Sequence, residues 1–175
     1  MVFRVIFGNI RLLLLKLIHP GIHFSLYSQF SGSLNCTGGS KVFLGRKIDV
    51  RKGAFLSSHD GGILRLGENV FVGSGCYFVS RKAINIGDNT KIGPNTIIYD
   101  HDHDYFKKGE YLKTEVEIGN NVWIGAGCII LRGTKIGNNS VIGAGTLLKG
   151  DYPSNSMIYN KKETIVKPLR NQSEE

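Results

Sequence analysis

The sequence predicts an all-β chain wound as a parallel solenoid of triangular coils, and three features lead there. From Ile118 to Leu148 an aliphatic residue falls at every sixth position: Ile118, Ile124, Ile130, Ile136, Ile142 and Leu148. Two residues before each of the last five stands a compact or β-branched one: Val122, Cys128, Thr134, Ser140 and Thr146. Glycine follows most of the aliphatics, at Gly119, Gly125, Gly137 and Gly143. A helix repeats its apolar face about every 3.6 residues and a strand about every 2, so a strict six requires short strand segments separated by turns. An always-aliphatic position with a compact neighbour on the same strand face describes the inside of a narrow tube. Three hexads close one coil, and coils stacked at roughly 4.8 Å pair as parallel strands with their aliphatics in ladders.

The 175 residues make one domain, long enough for a real core. It divides into an N-terminal segment and lead-in (1–40), the solenoid (41–150) with a loop extruded at 99–115, and a closing segment with a polar tail (151–175). Residues 1–20, MVFRVIFGNIRLLLLKLIHP, are apolar with Arg4, Arg11 and Lys16 interspersed. Their longest unbroken apolar run, Leu12 to Leu15, is far short of the roughly 20 residues of a spanning helix. No small-x-small cleavage site follows, and His19-Pro20-Gly21 reads as a helix stop. The segment is expected to be a helix that caps the open end of the solenoid or packs on a neighbouring subunit. The alternative is that residues 1–18 lie on an anionic membrane surface.

Residues 21–40 carry little signal and read as turns leading into the first coil. The period emerges at Leu44, Val50 and Leu56, breaks at Ser57 to Gly62, and resumes at Leu66, Val72 and Phe78. It slips by two near Arg81-Lys82 and returns at Ile86, Ile92 and Ile98. Corners absorb such insertions because the strand faces keep register. His59, in the first break, is expected to be a solvated loop residue. After Ile98 a polar and aromatic run from Tyr99 to Glu115 lacks repeat aliphatics; a long loop on a rigid scaffold is a usual seat of function. Beyond Gly150, residues 154–170 are expected to close the tube as a turn, short strand or helix.

Twenty-two Lys and Arg against fourteen Asp and Glu leave a charge of +8. That balance favours anionic partners: nucleic acid, an acidic membrane surface, or a phosphate-bearing cofactor or sugar nucleotide. No basic cluster interleaved with aromatics appears, and no zinc-finger or helix-turn-helix spacing, which disfavours nucleic acid. Cys36, Cys76 and Cys128 have no paired spacing, and the last two occupy the compact position before Phe78 and Ile130. They read as buried packers in a reducing cytoplasm.

The loop offers His101 and His103 within Asp-His-Asp-His-Asp. Neutral imidazole, with an ordinary pKa of about 6.5, suits removal of a hydroxyl proton near neutrality, and a neighbouring carboxylate can orient its other nitrogen. The two histidines also have alternating-strand spacing, which puts both on one face with Asp102 opposed. Zinc commonly needs three or four ligands, so the pair alone makes a poor metal site.

The run IGNNVWIGAG from Ile118 to Gly127, with the histidine loop before it, resembles the hexapeptide-repeat acyltransferases, and among them the sugar and polysaccharide O-acetyltransferases. The resemblance covers about residues 41–160. It implies a left-handed parallel β-helix, a handedness that general topology rules would not give. It also implies a homotrimer, acetyl-CoA as donor, and transfer of the acetyl group to a sugar or glycan hydroxyl in cell-surface polysaccharide or glycan-precursor synthesis. By the same resemblance His101 is the catalytic base, with His103 as its alternative. Trp123, Gly125, Ala126, Gly143 and Ala144 hold the donor, its pantetheine arm lying on exposed backbone. Lys149 and Lys162 reach its nucleotide end. The usual Ala-Gly-x-Pro-Ala-Lys stretch is replaced here by Tyr159 to Thr164. The related γ-class carbonic anhydrases hold a metal with histidines from separate coils; Ile118 to Gly150 contains none, so no metal is expected. Two other functions remain open: N-acetylation of an amino-sugar nucleotide, and a non-catalytic scaffold. The expected location is cytoplasmic, with residues 1–18 either packed on protein or peripheral to the inner face of the membrane.

Overall fold

The computed structural model describes residues 2–161 and 163. Three parallel sheets form the sides of a triangular prism, visited in strict rotation. The first side is built from Ile22–Phe24, Lys41–Leu44, Ile63–Leu66, Ala83–Ile86, Val116–Ile118, Lys135–Ile136 and Asp151–Tyr152. The second is built from Gln29–Phe30, Asp49–Val50, Phe71–Val72, Lys91–Ile92, Trp123–Ile124, Val141–Ile142 and Met157–Ile158. The third is built from Ser33–Cys36, Phe55–Ser58, Tyr77–Ser80, Ile97–Tyr99, Ile129–Ile130 and Leu147–Leu148. The coils are those of a left-handed β-helix.

The six-residue period translates directly into register. Ile92, Ile124 and Ile142 are partners on successive coils, as are Ile98, Ile130 and Leu148, and all six are buried. The compact positions Thr90, Thr96, Val122, Cys128, Thr134, Ser140 and Thr146 are buried too, filling the inner corners. All three cysteines are buried, and for Cys76 and Cys128 this is the expected packing role.

The edges where sides meet are of three kinds. At the first-to-second edge the sequence repeats Asp-Asn or Asn-Asn. The side-chain oxygens of Asp88, Asn120 and Asn138 accept from the backbone N–H of Glu68, Asp88 and Asn120 on the preceding coil at 2.7–2.8 Å. The residue after each, Asn89, Asn121 or Asn139, turns with φ of 57, 56 and 58°, a conformation asparagine tolerates better than most residues. At the second-to-third edge the two glycines of IGAG do different work. A Cβ on Gly125 would stand 2.6 Å from the amide nitrogen of Ala144, so that position is glycine because two backbones meet there. Gly127 instead adopts φ of 65°.

From the second coil on, the third-to-first edge takes all the irregularity. It carries the turn at His59 to Gly62, the two-residue corner Arg81-Lys82 and the extruded segment. That segment, expected as a loop, folds instead as an antiparallel hairpin of His101–His103 with Tyr111–Lys113.

The solenoid is longer than the period indicates. Residues 22–40, assigned to the lead-in, already form the first coil, with Ile22, Phe30 and Leu34 buried. Its pattern is obscured because Phe24 and Phe30 replace aliphatics and the corner before Leu34 is two residues shorter than on later coils. At the other end Asp151–Tyr152 and Met157–Ile158, assigned to the closing segment, add strands to the first and second sides. Lys162, Lys167 and Arg170 lie outside the described residues. Before the first coil, helix α1 (Val2–Ile18) closes the tube. Leu12 is fully buried in the core cluster, and a Cβ on Gly8 would meet Ser28 O at 2.6 Å, so the helix rests on the backbone of the first coil. Capping is therefore what the helix does. No helix among the described residues is long and apolar enough to cross a membrane.

Ile124→Ala, which opens the ladder between Ile92 and Ile142, is expected to lower stability by about 2–5 kcal/mol. Lys91→Ala, an exposed position on the same side, should stay within about 0.5 kcal/mol. Denaturant melts at neutral pH check both.

Candidate active site

The third-to-first edge gathers the titratable groups. Asp100 follows Tyr99 in the register position of Ser80 and Ser58 on the two coils before it, so its side chain points inward and is wholly buried. A carboxylate there must be satisfied by protein. The corner of the preceding coil provides the donors: Ser80 Oγ at 2.8 Å and the backbone N–H groups of Arg81 and Lys82, each at 2.8 Å. A fourth donor is His101, whose Nδ1 lies 2.9 Å from Asp100 Oδ1. Burial by itself would raise the Asp100 pKa; His101, the two amides and Ser80 together outweigh it and hold the carboxyl below its ordinary value of 3.8. An ionised carboxylate only accepts hydrogen bonds. His101 Nδ1 therefore carries the proton, and Nε2 has the free lone pair.

The imidazole is also held from its flanks. Tyr99 and Tyr111 meet it edge-on, with centroids 5.5 and 5.3 Å away and both rings at 82°. Its side chain keeps only 10% exposure. The hairpin that brings Tyr111 is itself pinned at its base. Arg81 stacks its guanidinium 4.0 Å from the Tyr111 centroid and pairs with Asp60. On the opposite pleat Asp102 meets Arg132 Nε at 2.5 Å. A cavity of about 770 Å³ opens beside the histidine, lined by Tyr99, His101, His103, Tyr105, Arg132 and Lys149 among others. His103 is exposed and leans on Tyr111 at 4.8 Å.

His59 departs from its expected role as a solvated loop residue. Its Nδ1 lies 2.7 Å from Thr37 Oγ1 and its Nε2 is bonded to Ser57 Oγ. Burial first, and then the Arg81 charge, lower its pKa from 6.5, so it is a neutral structural contact under the active corner.

The other residues singled out from the sequence lie elsewhere on the prism. Gly125, Ala126, Gly143 and Ala144 form the second-to-third edge, with both alanines exposed. Trp123 is on the second side, 62% exposed, in a shallow cavity of about 430 Å³ with Phe71 and Lys91. Within one chain the third side separates this edge from His101. Lys149 falls with His101 and away from the glycine corners. Among the described residues no group of three or more His, Cys, Asp or Glu is arranged to hold a metal ion.

Two family profiles match the chain: "Bacterial transferase hexapeptide (six repeats)" over residues 115–150 and "Hexapeptide repeat of succinyl-transferase" over residues 63–100. Both profiles describe hexapeptide-repeat transferases, and between them they take in two stretches of the solenoid of this chain. The chain is 42% identical over 74 residues to nodulation protein L of Rhizobium leguminosarum bv. viciae, a match covering 40% of the chain and 39% of that protein. It is 26% identical over 183 residues to the Escherichia coli K12 protein provisionally named lipopolysaccharide biosynthesis O-acetyl transferase WbbJ, across 97% of the chain and 85% of the relative. Among solved structures it superposes on AntD, an N-acyltransferase from Bacillus cereus in complex with dTDP-4-amino-4,6-dideoxyglucose and coenzyme A. The TM-score is 0.69 at 17% identity, covering 86% of this chain and 89% of that one; at that identity the likeness is one of fold.

Because the folded-state pKa of Asp100 is depressed, its stabilisation is complete above the unfolded carboxylate range and is lost as pH falls through the folded value. Asp100→Asn is accordingly expected to cost on the order of 3 kcal/mol at neutral pH. The gap from wild type should narrow only below about pH 4. Urea melts across the acid range test this, and a gap that closes by about pH 6 contradicts it.

Proposed function

We propose that this protein is an acetyl-CoA-dependent O-acetyltransferase acting on a hydroxyl of a sugar or glycan precursor, with His101 as general base. The observation that carries this reading is the Asp100–His101 pair at the mouth of the cavity. The buried carboxylate fixes the tautomer and ring orientation, and leaves Nε2 as the proton acceptor. The name of WbbJ supports an O-linked acceptor in surface-polysaccharide synthesis, and the coenzyme A in the AntD complex supports the donor class.

The chemistry then runs without a covalent enzyme intermediate. His101 Nε2 takes the proton of the acceptor hydroxyl as its oxygen forms a bond to the thioester carbonyl carbon. The carbonyl oxygen gains negative charge, which a backbone N–H near Ala126 steadies. The carbon–sulfur bond breaks, the acetyl ester is complete, and the coenzyme A thiolate takes the proton from the imidazolium. Asp100 stays ionised throughout, stabilising that transient charge. Trp123 and the corners at Gly125, Ala126, Gly143 and Ala144 receive the pantetheine arm, since small exposed corner residues let an extended chain lie on the backbone. Lys149 sits beside His101 and meets an anionic part of donor or acceptor there. Since His101 and the glycine corners occupy different edges of one prism, the complete site lies between subunits of a homotrimer.

His101→Ala should lower kcat by about 10²–10⁴-fold at saturating acetyl-CoA, while His103→Ala stays within a few-fold of wild type. Acetyl-CoA consumption is to be followed against sugars, sugar nucleotides and lipid-linked oligosaccharides. Normal kcat in His101→Ala overturns the base assignment, and faster turnover of an amino-sugar amine than of any hydroxyl overturns O-transfer. Sedimentation of active enzyme as a monomer overturns the shared site.

A further inference from the structure

Helix α1 uses barely half of its circumference to close the tube. Gly8 and Leu12 are buried against the first coil, with Val5, Asn9 and Leu15 partly covered beside them. At about 100° per residue, the opposite arc of about 140° holds Leu13, Ile6, Leu17, Ile10, Phe3, Leu14, Phe7 and Ile18. Every one is a large apolar side chain exposed to solvent, from 47% for Ile6 to 82% for Leu17. No polar residue interrupts that arc. Arg11 borders it on one edge, and Lys16 lies beyond the other. A cavity of about 640 Å³ continues the apolar face down to the coil, between Phe7, Ile10, Leu14 and Phe30, with Arg11 and Lys52 at its rim.

The charge of this end is one-sided. The first 48 residues contain Arg4, Arg11, Lys16, Lys41, Arg46 and Lys47 and not one Asp or Glu. The first carboxylate in the chain, Asp49, is already paired with Arg51 at 3.0 Å. Two copies meeting through this end would bring like charges together. An apolar helix face ringed by cations is instead complementary to a surface of apolar chains beneath anionic headgroups.

We infer that the outward face of α1 lies on an anionic lipid surface and holds the solenoid there as a peripheral protein. The arc sinks into the boundary between headgroups and acyl chains, while Arg11, Lys16 and Lys52 meet the phosphates. Leu26 and Tyr27, exposed at 57% and 69% on a turn of the same first coil, lie at the same end of the prism. The His101 edge follows the third-side strand three coils above the first, roughly 14 Å along the axis at the parallel-strand spacing. The active corner is thus close to the surface without being immersed in it.

Co-sedimentation of the full chain with vesicles decides the matter. Wild type is expected to pellet with phosphatidylcholine containing about 30% phosphatidylglycerol and much less with phosphatidylcholine alone. The triple variant Ile10→Glu, Leu14→Glu, Leu17→Glu changes only exposed side chains. It should lose more than about tenfold of that partitioning while keeping the wild-type circular dichroism and melting temperature. Should it fail to fold, Arg11→Glu with Lys16→Glu must give a loss confined to the anionic vesicles. Wild type that stays in the supernatant, or variants that bind equally well, overturns the inference. So does the finding that the triple variant dissolves a wild-type oligomer in vesicle-free sedimentation while neither protein binds lipid, since a second copy would then cover the face.

Discussion

Successive coils stand at the spacing of hydrogen-bonded parallel strands, roughly 4.8 Å, and the rest of the chain is fitted to that distance. On the sides it stacks aliphatic on aliphatic. At the edges it brings backbone against backbone, so closely that a Cβ on Gly93 or Gly125 would lie 2.6 Å from the amide of the alanine one coil on. From the second coil on, two of the three edges therefore keep a length of four residues, with asparagine at most turns of one and glycine at most turns of the other. Only the third edge is free to vary. It holds every insertion: the His59 turn, the Arg81 corner and the hairpin that begins at His101.

The same tightness makes a buried acid workable. The inward position two residues after a core aliphatic is Cys36, Ser58 and Ser80 on the first three coils and Asp100 on the fourth. A carboxylate in that place would be costly without partners. The preceding corner turns two amides and a hydroxyl toward it, leaving its fourth hydrogen bond for His101. The scaffold thereby converts a repeat position into a fixed anchor for an imidazole. Tyr99, Tyr111 and Arg81 then complete the clamp from the aromatic column on the outside of the third side.

How much of this was legible in the sequence follows from which signals are periodic. The ladder from Ile118 to Leu148 fixes strands, register and core because each residue repeats six positions on. The first coil escapes the period because Phe24 and Phe30 stand where aliphatics mark the later coils, and a shorter corner puts Leu34 only four residues after Phe30. Resemblance singles out His101 as the proposed base, and a neighbouring carboxylate was expected to orient it, as Asp100 does. That the partner is Asp100 was available in principle, since it falls two after Ile98, in step with Ser80 two after Phe78. The contributions of Arg81 and Tyr111 were not available, because a hairpin's docking angle leaves no period. Lys149 was assigned to the donor by motif, while its coil position puts it on the histidine edge. Counting edges along the chain would have separated it from the glycine corners.

That separation bears on how such a solenoid can act at all. A narrow prism packed solid with aliphatics has no interior for a substrate, so every reactive group must sit on its outside, and groups on different edges of one copy diverge. The proposed reaction needs the imidazole on one edge and the small-residue corners on another to reach the same thioester. Rotation about a common axis meets that need, because an edge of one copy is brought beside a different edge of the next. In the proposed trimer, residues far apart within a chain would become neighbours between chains, with no change to the coils. The rigidity that forbids a pocket within the tube also keeps the facing edges straight over several coils, as an extended pantetheine arm requires.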